Sequence, residues 1–284
     1  MTVSDRLIAR RDEMTPSERQ LLNTLLDDYP IAGLGSITEL AAHASVSTTT
    51  VARMLQKTGF DGYPQFQTAL RNELKEMISD PIAKRDVWQN DLPDEHILNR
   101  YSRQGLENQQ RSLDDVNPRD FDGLCQLLSD PSRSVFIAGG RITGTMARYL
   151  YLHLQMIRPR VRLVARDGSW PHDLLDVAAG DVVVVFDVRR YENATLQLSQ
   201  MCHDKGAEIV LFTDQWRSPI HRIAAHTFSS RIAVPSAWDT CLPLLMLVEC
   251  TIAAVQEMLW ETVKDRTDAL EAAFDRTKLF RKFT

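Results

Sequence analysis

The chain has 284 residues, of which 44% are hydrophobic and 25% are charged, a composition typical of a globular protein with material for about two domains. Its four cysteines form neither a CxxC pair nor a group with histidine at metal-ligand spacing, which argues against a disulfide framework and a zinc site and favours a cytoplasmic protein. The formal net charge of -5 argues against a protein that coats nucleic acid over its whole surface, although a local DNA-reading face remains compatible with it.

We expect neither a signal peptide nor a membrane span. The first eleven residues carry three arginines but no apolar stretch, and the apolar run Leu242–Leu247 soon meets Glu249. Both patterns fall short of what a membrane-crossing helix requires.

Residues 15–77 are predicted to form successive short helices. Thr15-Pro16-Ser17-Glu18 places an N-cap, a first-turn proline and a capping-box acid together, which predicts a helix start. Further helices are expected over about 36–44, from Ser47 to a stop at Gly59, and over about 63–77. We assign residues 1–77 to one domain.

Residues 78–118 are polar and mostly helical in period, and we interpret them as a helical linker. From 119 onward, short apolar runs alternate with helical stretches; the runs are 134–138, 161–164, 181–186 and 208–212. This alternation predicts an open, mainly parallel α/β sheet covered by helices, followed by carboxyl-terminal helices to residue 284.

The segment Ser36–Phe60 has the spacing of a helix-turn-helix. Its second helix would present short hydroxyl side chains and two basic ones to a major groove, and from Leu40 to Phe60 the segment contains no acidic residue. We predict that Arg53 contacts guanine or phosphate and that Lys57 contacts phosphate. The predicted DNA-binding residues are Ser47, Thr48, Thr49, Thr50, Arg53 and Lys57.

On spacing alone, the same pattern also occurs in helical bundles that bind no DNA. The stretch that continues through Asp61-Gly-Tyr-Pro-Gln-Phe66 resembles the amino-terminal domain of RpiR-type transcriptional regulators. The resemblance rests on residues Val46, Ser47, Thr50, Val51, Arg53, Gly59, Phe60, Gly62, Tyr63 and Phe66. It implies a bacterial regulator that binds a double-stranded DNA operator.

Two loops at predicted strand ends carry the chemistry of a ligand site. Gly-Gly-Arg-Ile-Thr143 follows the first strand, and Asp187-Val-Arg-Arg-Tyr191 follows the third. In open parallel sheets such loops meet at the carboxyl edge, where backbone N–H groups and arginines suit an anion. The glycines could equally serve a tight turn, and the arginine pair could be a solvated loop. The predicted ligand-binding residues are Gly139, Gly140, Arg141, Thr143, Asp187, Arg189, Arg190 and Tyr191.

Residues 119–262 resemble the sugar isomerase (SIS) domain of RpiR-type proteins, which implies a phosphosugar effector. Gly139, Thr143 and Ala147 fit the first-loop pattern of that family, but Arg141 replaces its second glycine. Asp187–Tyr191 replaces a loop that is usually rich in serine and glycine. We therefore predict a small anionic effector, either a phosphosugar held by arginine or a different anion.

No catalytic constellation, metal site or cofactor is predicted. The acid-base candidates His153, His172, His203, Glu192 and Asp173 form no recognisable group, so we favour a non-enzyme. The alternatives are a sugar-phosphate isomerase with an accessory helical domain and an assembly scaffold that binds no DNA.

The helix expected over 239–262 is more apolar than one core face requires. We predict that part of it packs against a second subunit in a homodimer or homotetramer.

Overall fold

The computed structural model describes residues 2–78, 80–82, 84, 85 and 95–280. It divides into two compact units, residues 1–92 and 93–284. The boundary falls within 78–118, which we expected to be a linker.

The first unit is helical. It contains α1 (Val3–Ile8), α2 (Pro16–Asp27), α3 (Ile37–His43), α4 (Thr48–Lys57) and α5 (Tyr63–Ile78), with short 3-10 turns at Arg11–Glu13 and Ile31–Gly33. Capping boxes start α2 at Thr15 and α3 at Ser36, satisfying backbone N–H groups that would otherwise lack partners. Leu21, Leu40, Val51, Leu55 and Phe66 lie in one buried core.

Helix α1 is an element that the sequence analysis did not predict. Thr2 and Asp5 form a capping box at its start, and Val3 and Leu7 are buried in the core of the first unit. Six residues are too few for a clear helical repeat.

The second unit begins with two helices, α6 (Ile97–Asp114) and α7 (Pro118–Ser129), and continues as an α/β fold. Its strands are β1 (Val135–Gly139), β2 (Val161–Leu163), β3 (Val182–Asp187), β4 (Glu208–Asp214) and β5 (His226–Ser230). Between and after them lie α8 (Gly144–Ile157), α9 (Trp170–Asp173), α10 (Asn193–Asp204), α11 (Leu242–Met258) and α12 (Trp260–Thr277), with 3-10 turns at Leu174–Asp176 and Pro219–Arg222.

All five strands are parallel, in the order β2-β1-β3-β4-β5. Both faces of the sheet are covered. Val135, Ile137 and Phe186 point into a core with α7, α8 and α11, whereas Phe136 and Val185 point into a core with α10. Burial on both faces explains the continuous apolar strands and confirms the α/β fold class.

The region 78–118 contains α6, which packs against α11 and β5 of the second unit. Within α6, Asn108 Nδ2 donates to the Ala233 carbonyl at 2.6 Å, and Ser112 Oγ accepts from the Arg231 N–H at 2.8 Å. Helix α6 is therefore part of the second unit's fold.

No single described helix is long and apolar enough to cross a membrane. The pair α11–α12 passes a length and composition test only when taken together, and its two helices are bent by 97° at their junction.

Candidate functional sites

Helix α4 presents a polar face at its start. The Ser47 hydroxyl accepts from the Thr50 N–H at 3.1 Å and lies 2.9 Å from the Thr50 hydroxyl. Thr48, Thr49 and Arg53 are exposed, while Thr50 is half-buried. Among the described residues, Arg53 has no hydrogen-bond or ion-pair partner, so its guanidinium is available to a ligand outside the unit.

Lys57 is tied to the body of the first unit. Its ammonium lies 2.7 Å from Oε2 of Glu18, a carboxylate whose side chain is only 3% exposed, and the Lys57 side chain remains 36% exposed. The contact joins the end of α4 to the start of α2. The predicted phosphate contact of Lys57 thus coexists with a contact that positions the helix.

The pKa of Glu18 lies below its ordinary value. Burial raises this pKa, but hydrogen bonds from Lys57 and from the backbone and hydroxyl of Thr15 outweigh that effect. Because the folded-state pKa is lowered, the stability that the ionised carboxylate contributes is present above the ordinary pKa and lost as the pH falls through the folded value.

We expect Lys57→Met to lower the free energy of unfolding at pH 7 by about 1–2 kcal/mol, since it strands a buried carboxylate while the lost cation was partly exposed. The double variant Lys57→Met/Glu18→Gln should recover part of this loss of stability. The destabilisation caused by Lys57→Met should also become smaller as the pH falls below 4.5, the ordinary pKa of a glutamate side chain. Urea unfolding, monitored by circular dichroism, measures the free energy of unfolding of each variant at each pH. Strict additivity of the two substitutions would show that the pair is not coupled.

Helix α1 also holds the carboxyl-terminal end of α4. The Arg6 guanidinium donates to the carbonyls of Thr58 at 2.9 Å and Gly59 at 2.7 Å, and lies 3.9 Å from the centre of the Phe60 ring. These carbonyls end α4, where a cation is favoured. No local sequence pattern predicts this contact, because it joins residues more than fifty positions apart.

The loop after β1 is closed by internal hydrogen bonds. The buried Thr143 hydroxyl accepts from the Gly140 N–H at 2.9 Å and donates to the Phe186 carbonyl at 2.8 Å. A side chain on Gly139 would place its Cβ 2.8 Å from the Thr143 carbonyl oxygen, so only glycine fits there. Gly139, Gly140 and Thr143 therefore shape the loop, while the Arg141 side chain is exposed at the sheet edge.

The loop after β3 is built on two buried carboxylates. Asp187 accepts from the Ser218 hydroxyl at 2.5 Å and from the Glu192 N–H at 3.3 Å. Asp214, at the end of β4, accepts from the Arg189 N–H at 2.7 Å and the Tyr191 hydroxyl at 2.8 Å. Burial raises the pKa of Asp214 and that of Tyr191. The Asp187 and Tyr191 side chains thus hold the loop in place.

The two neighbouring arginines of this loop differ. The Arg189 side chain is 5% exposed; its guanidinium binds both carboxylate oxygens of Asp239 at 2.8–3.2 Å and lies 4.8 Å from the centre of the Trp216 ring. Direct anion binding by Arg189 would compete with this pair. Arg190 is exposed and, among the described residues, has no polar partner.

Two further residues at this edge were not predicted as ligand contacts. Glu192 accepts from the Arg141 N–H at 2.5 Å. Arg166, from the segment after β2, lies on the start of α8, where a Cβ on Gly144 would be 2.9 Å from its Nε. Both line a cavity of about 60 Å³ together with Gly139, Trp170 and Leu198. Glu192 was considered only as an acid-base candidate, and nothing in the pattern around Arg166 pointed to the site.

Burial raises the pKa of Asp187 to about 6, and the negative charges of Asp214 and Glu192 add to this, although hydrogen bonds from Ser218 and the Glu192 N–H oppose it. Because the folded-state pKa is raised, the favourable contribution of Asp187 is complete below its ordinary value and is lost as the pH rises through about 6.

We therefore expect Asp187→Asn to stabilise the second unit at pH 7.5 by about 1–3 kcal/mol, given about 1.4 kcal/mol for each pKa unit, and to have little effect at pH 4. The fluorescence of Trp170, Trp216, Trp238 and Trp260 during urea unfolding monitors this unit. The control Asp204→Asn changes an exposed carboxylate and should show no such difference between the two pH values. A variant no more stable than the wild type at pH 7.5 would contradict the assignment.

The acid-base candidates do not meet in one place. His172 Nδ1 lies 2.9 Å from the Ser169 carbonyl, and Asp173 accepts from the Ala165 N–H at 3.0 Å. The His153 ring lies beside that of Tyr149 on α8, and His203 is exposed near the end of α10. Among the described residues, no group of His, Cys, Asp and Glu has the arrangement of a metal site.

Comparison with known proteins agrees with this two-part architecture. Residues 1–77 match the family model for the helix-turn-helix domain of the rpiR family, and residues 127–254 match that for the SIS domain. The chain is 25% identical over 258 residues to the HTH-type transcriptional regulator HexR of Pseudomonas aeruginosa, covering 88% of this chain and 86% of that protein. It is 21% identical over 264 residues to HexR of Escherichia coli, covering 90% and 86%.

Solved structures share the fold. The sugar isomerase domain of an RpiR transcription factor from Sphaerobacter thermophilus matches with a TM-score of 0.59 at 17% identity, over 63% of this chain and 99% of that one. The Vibrio vulnificus NanR protein complexed with ManNAc-6P matches with a TM-score of 0.57 at 15% identity, over 98% and 99%.

The class is therefore a helix-turn-helix transcriptional regulator with a carboxyl-terminal SIS domain. Its first 77 residues match the helix-turn-helix domain of the rpiR family, and the chain is similar over most of its length to the HexR regulators.

Proposed function

We propose that this regulator binds an operator through α4 and that a small anionic metabolite, bound at the carboxyl edge of the parallel sheet, changes its affinity for that operator. The observation that carries the proposal is the exposed face of α4, where Arg53 has no polar partner within the described part of the chain, together with the SIS domain of the second unit. This function places the protein in the cytoplasm, where operator and metabolite are found together.

For the DNA interface, Ser47, Thr48, Thr49 and Thr50 would contact phosphates or base edges from the start of α4. Arg53, one turn later, suits a bidentate contact with guanine, and Lys57 a flanking phosphate. The hydroxyls are short enough to let the helix approach the floor of the major groove.

For the effector, the exposed guanidiniums of Arg141 and Arg190 would bind the anionic group. The remaining residues predicted for the site, Gly139, Gly140, Thr143, Asp187, Arg189 and Tyr191, would shape the loops that carry these arginines. The NanR structure holds a sugar phosphate, which supports that class of effector for this chain, and a different organic anion fits the same arginines.

We further propose that the protein acts as a homodimer or homotetramer. Large apolar side chains at or near the ends of α11 are at least 45% exposed, namely Trp238, Leu242, Met258 and Trp260, which is typical of a surface that packs against another subunit. Two copies would place their α4 helices on the halves of a pseudo-palindromic site.

The competing hypothesis is a sugar-phosphate isomerase, since the SIS fold also occurs in such enzymes. That reaction needs an acid-base pair beside an open-chain sugar. The histidines of the second unit lie apart in the described structure, and the relatives named above are transcriptional regulators. We therefore favour a protein that senses its ligand without turning it over.

Footprinting of the intact protein on the DNA that flanks its own gene tests the DNA-binding half. We expect protection of two half-sites whose centres are separated by one helical turn, about 10 base pairs, or a multiple of it. Uniform protection that shows no preference among sequences would contradict the proposal.

A thermal-shift screen of sugar phosphates and organic acids tests the sensing half. A ligand at a hundred times its dissociation constant stabilises a protein by about 2.7 kcal/mol. We expect the shift given by the effector to be lost in Arg190→Ala and retained in Arg217→Ala, which changes another arginine of the second unit. An unchanged shift in Arg190→Ala would exclude Arg190 from the site.

A further inference from the structure

Glu192 already occupies the place that an anion would take in the loop after β1. Its Oε1 accepts the Arg141 N–H at 2.5 Å. The carboxylate also lies directly over Gly140, because a Cβ on that glycine would be 2.8 Å from the same oxygen. The protein thus supplies a carboxylate of its own to a backbone donor at the sheet edge.

Two neighbouring N–H groups are bonded within the loop itself. The Gly140 N–H is held by Thr143 Oγ1, and the Gly144 N–H donates to the Gly140 carbonyl at 2.7 Å. The Arg141 N–H differs from these two, because its acceptor Glu192 comes from the start of α10 and not from the loop itself, so this N–H becomes available once the Glu192 side chain moves.

The cavity beside Glu192 is too small for a metabolite in this arrangement. Its volume is about 60 Å³, whereas a cavity of about 150 Å³ is known to hold a benzene molecule. A sugar or organic acid can enter fully only if a lining side chain moves. Glu192 is half-buried at the start of α10, so its side chain can swing outward without breaking the core.

The charges at this edge of the sheet favour this exchange, although Arg166 is the only one of the described arginines there that lines the cavity itself. The exposed arginines Arg141, Arg166 and Arg190 follow β1, β2 and β3, three adjacent strands of the sheet. An incoming anion would meet their positive charges, while Glu192 would repel the anion as long as it stays bound. The site thus combines an attractive rim with a competing carboxylate.

We propose that Glu192 is a built-in competitor for the effector: the anionic group of the ligand, a carboxylate or phosphate, replaces the Glu192 carboxylate at the Arg141 N–H. This inference rests on the effector site proposed above and names its specificity-determining residue. Glu192 raises the ligand concentration that the regulator needs and excludes anions that bind too weakly to displace it.

The test uses the full chain with inorganic phosphate as the probe, at constant ionic strength so that screening stays equal. Half-maximal thermal shifts are compared for the wild type, Glu192→Ala, Glu192→Gln and the control Glu208→Gln. Glu208 begins β4 at the opposite edge of the sheet, so its variant removes the same charge without touching the site. A parallel series with acetate shows whether the site at the Arg141 N–H prefers a carboxylate or a phosphate.

We expect Glu192→Ala to respond at a phosphate or acetate concentration at least ten-fold lower than the wild type. Glu192→Gln should be intermediate, because its amide oxygen still accepts from Arg141 but carries no charge, and Glu208→Gln should match the wild type. The inference is overturned if both Glu192 variants respond like the wild type to both anions. That result would leave sequence-selective DNA binding, measured separately by footprinting, intact.

Discussion

Replacing Arg53 with alanine is expected to weaken operator binding by about 10- to 100-fold, with the free energy of unfolding unchanged. One good bidentate contact to a base contributes about 1–3 kcal/mol of discrimination. Arg53 is exposed on α4 without an internal polar partner among the described residues, so its loss should not disturb the fold. Gel-shift titration on the footprinted operator and on an unrelated duplex measures the effect.

The matched control is Arg71→Ala, which removes an exposed arginine of the same unit from α5. A base contact by Arg53 predicts that its variant loses affinity for the operator much more than for unrelated DNA. A phosphate contact predicts similar losses of affinity on both duplexes. It also predicts that the slope of the logarithm of the binding constant against the logarithm of salt concentration becomes smaller by about one. Full specific binding by Arg53→Ala would remove α4 from the role of recognition helix.

Replacing Arg189 with alanine is expected to destabilise the second unit by about 2–3 kcal/mol in the absence of any ligand. Removing one partner of a buried ion pair costs about 3–5 kcal/mol. Because the Asp239 side chain is 21% exposed, we expect a cost near or below the lower end of that range. The midpoint of thermal unfolding should fall by roughly 5–10 °C for a unit of this size.

Arg190→Ala is the control for that experiment, since it changes the next residue, which is exposed. We expect its stability without ligand to equal that of the wild type while its response to the effector is lost. Calorimetry of both variants, with and without the effector, separates the arginine that holds the loop from the one that binds. Equal stability of Arg189→Ala and the wild type would contradict the structural role of the Arg189–Asp239 pair.

Local signals predicted most of the first unit. Thr15, Glu18 and Ser47 act through residues three positions along the chain, so the capping pattern is visible in the sequence. The contacts that hold α4 in place were not visible, because Glu18 meets Lys57 and Arg6 meets Gly59 only after the chain has folded.

The sheet was predicted where strands are apolar throughout. Strands β3 and β4 are buried on both faces, so nearly every residue in them is apolar and the run is visible in the sequence. Strand β5, His226-Thr-Phe-Ser-Ser230, was missed because it lies at the edge of the sheet and contains one large apolar residue. An edge strand needs fewer apolar side chains, so its pattern is weaker.

The loops after β1 and β3 were predicted to meet at one edge of the sheet, and the two strands are adjacent and parallel, but the contacts of the loop side chains could not be derived from the sequence. Arg189 and Arg190 look equivalent as neighbours. Only the folded chain brings Asp239, fifty positions away, to Arg189. The same holds for Glu192, whose carboxylate reaches a backbone N–H fifty-one positions earlier.

The most direct measurement is the coupling between effector and operator. Operator affinity is measured with and without a saturating effector, and effector affinity with and without saturating operator. If the ligand binds at the sheet edge and changes DNA binding, both affinities must change by the same factor, and we expect a factor of about 5–150 for a coupling of about 1–3 kcal/mol. An effector that binds the second unit while leaving operator affinity unchanged would contradict the proposed function.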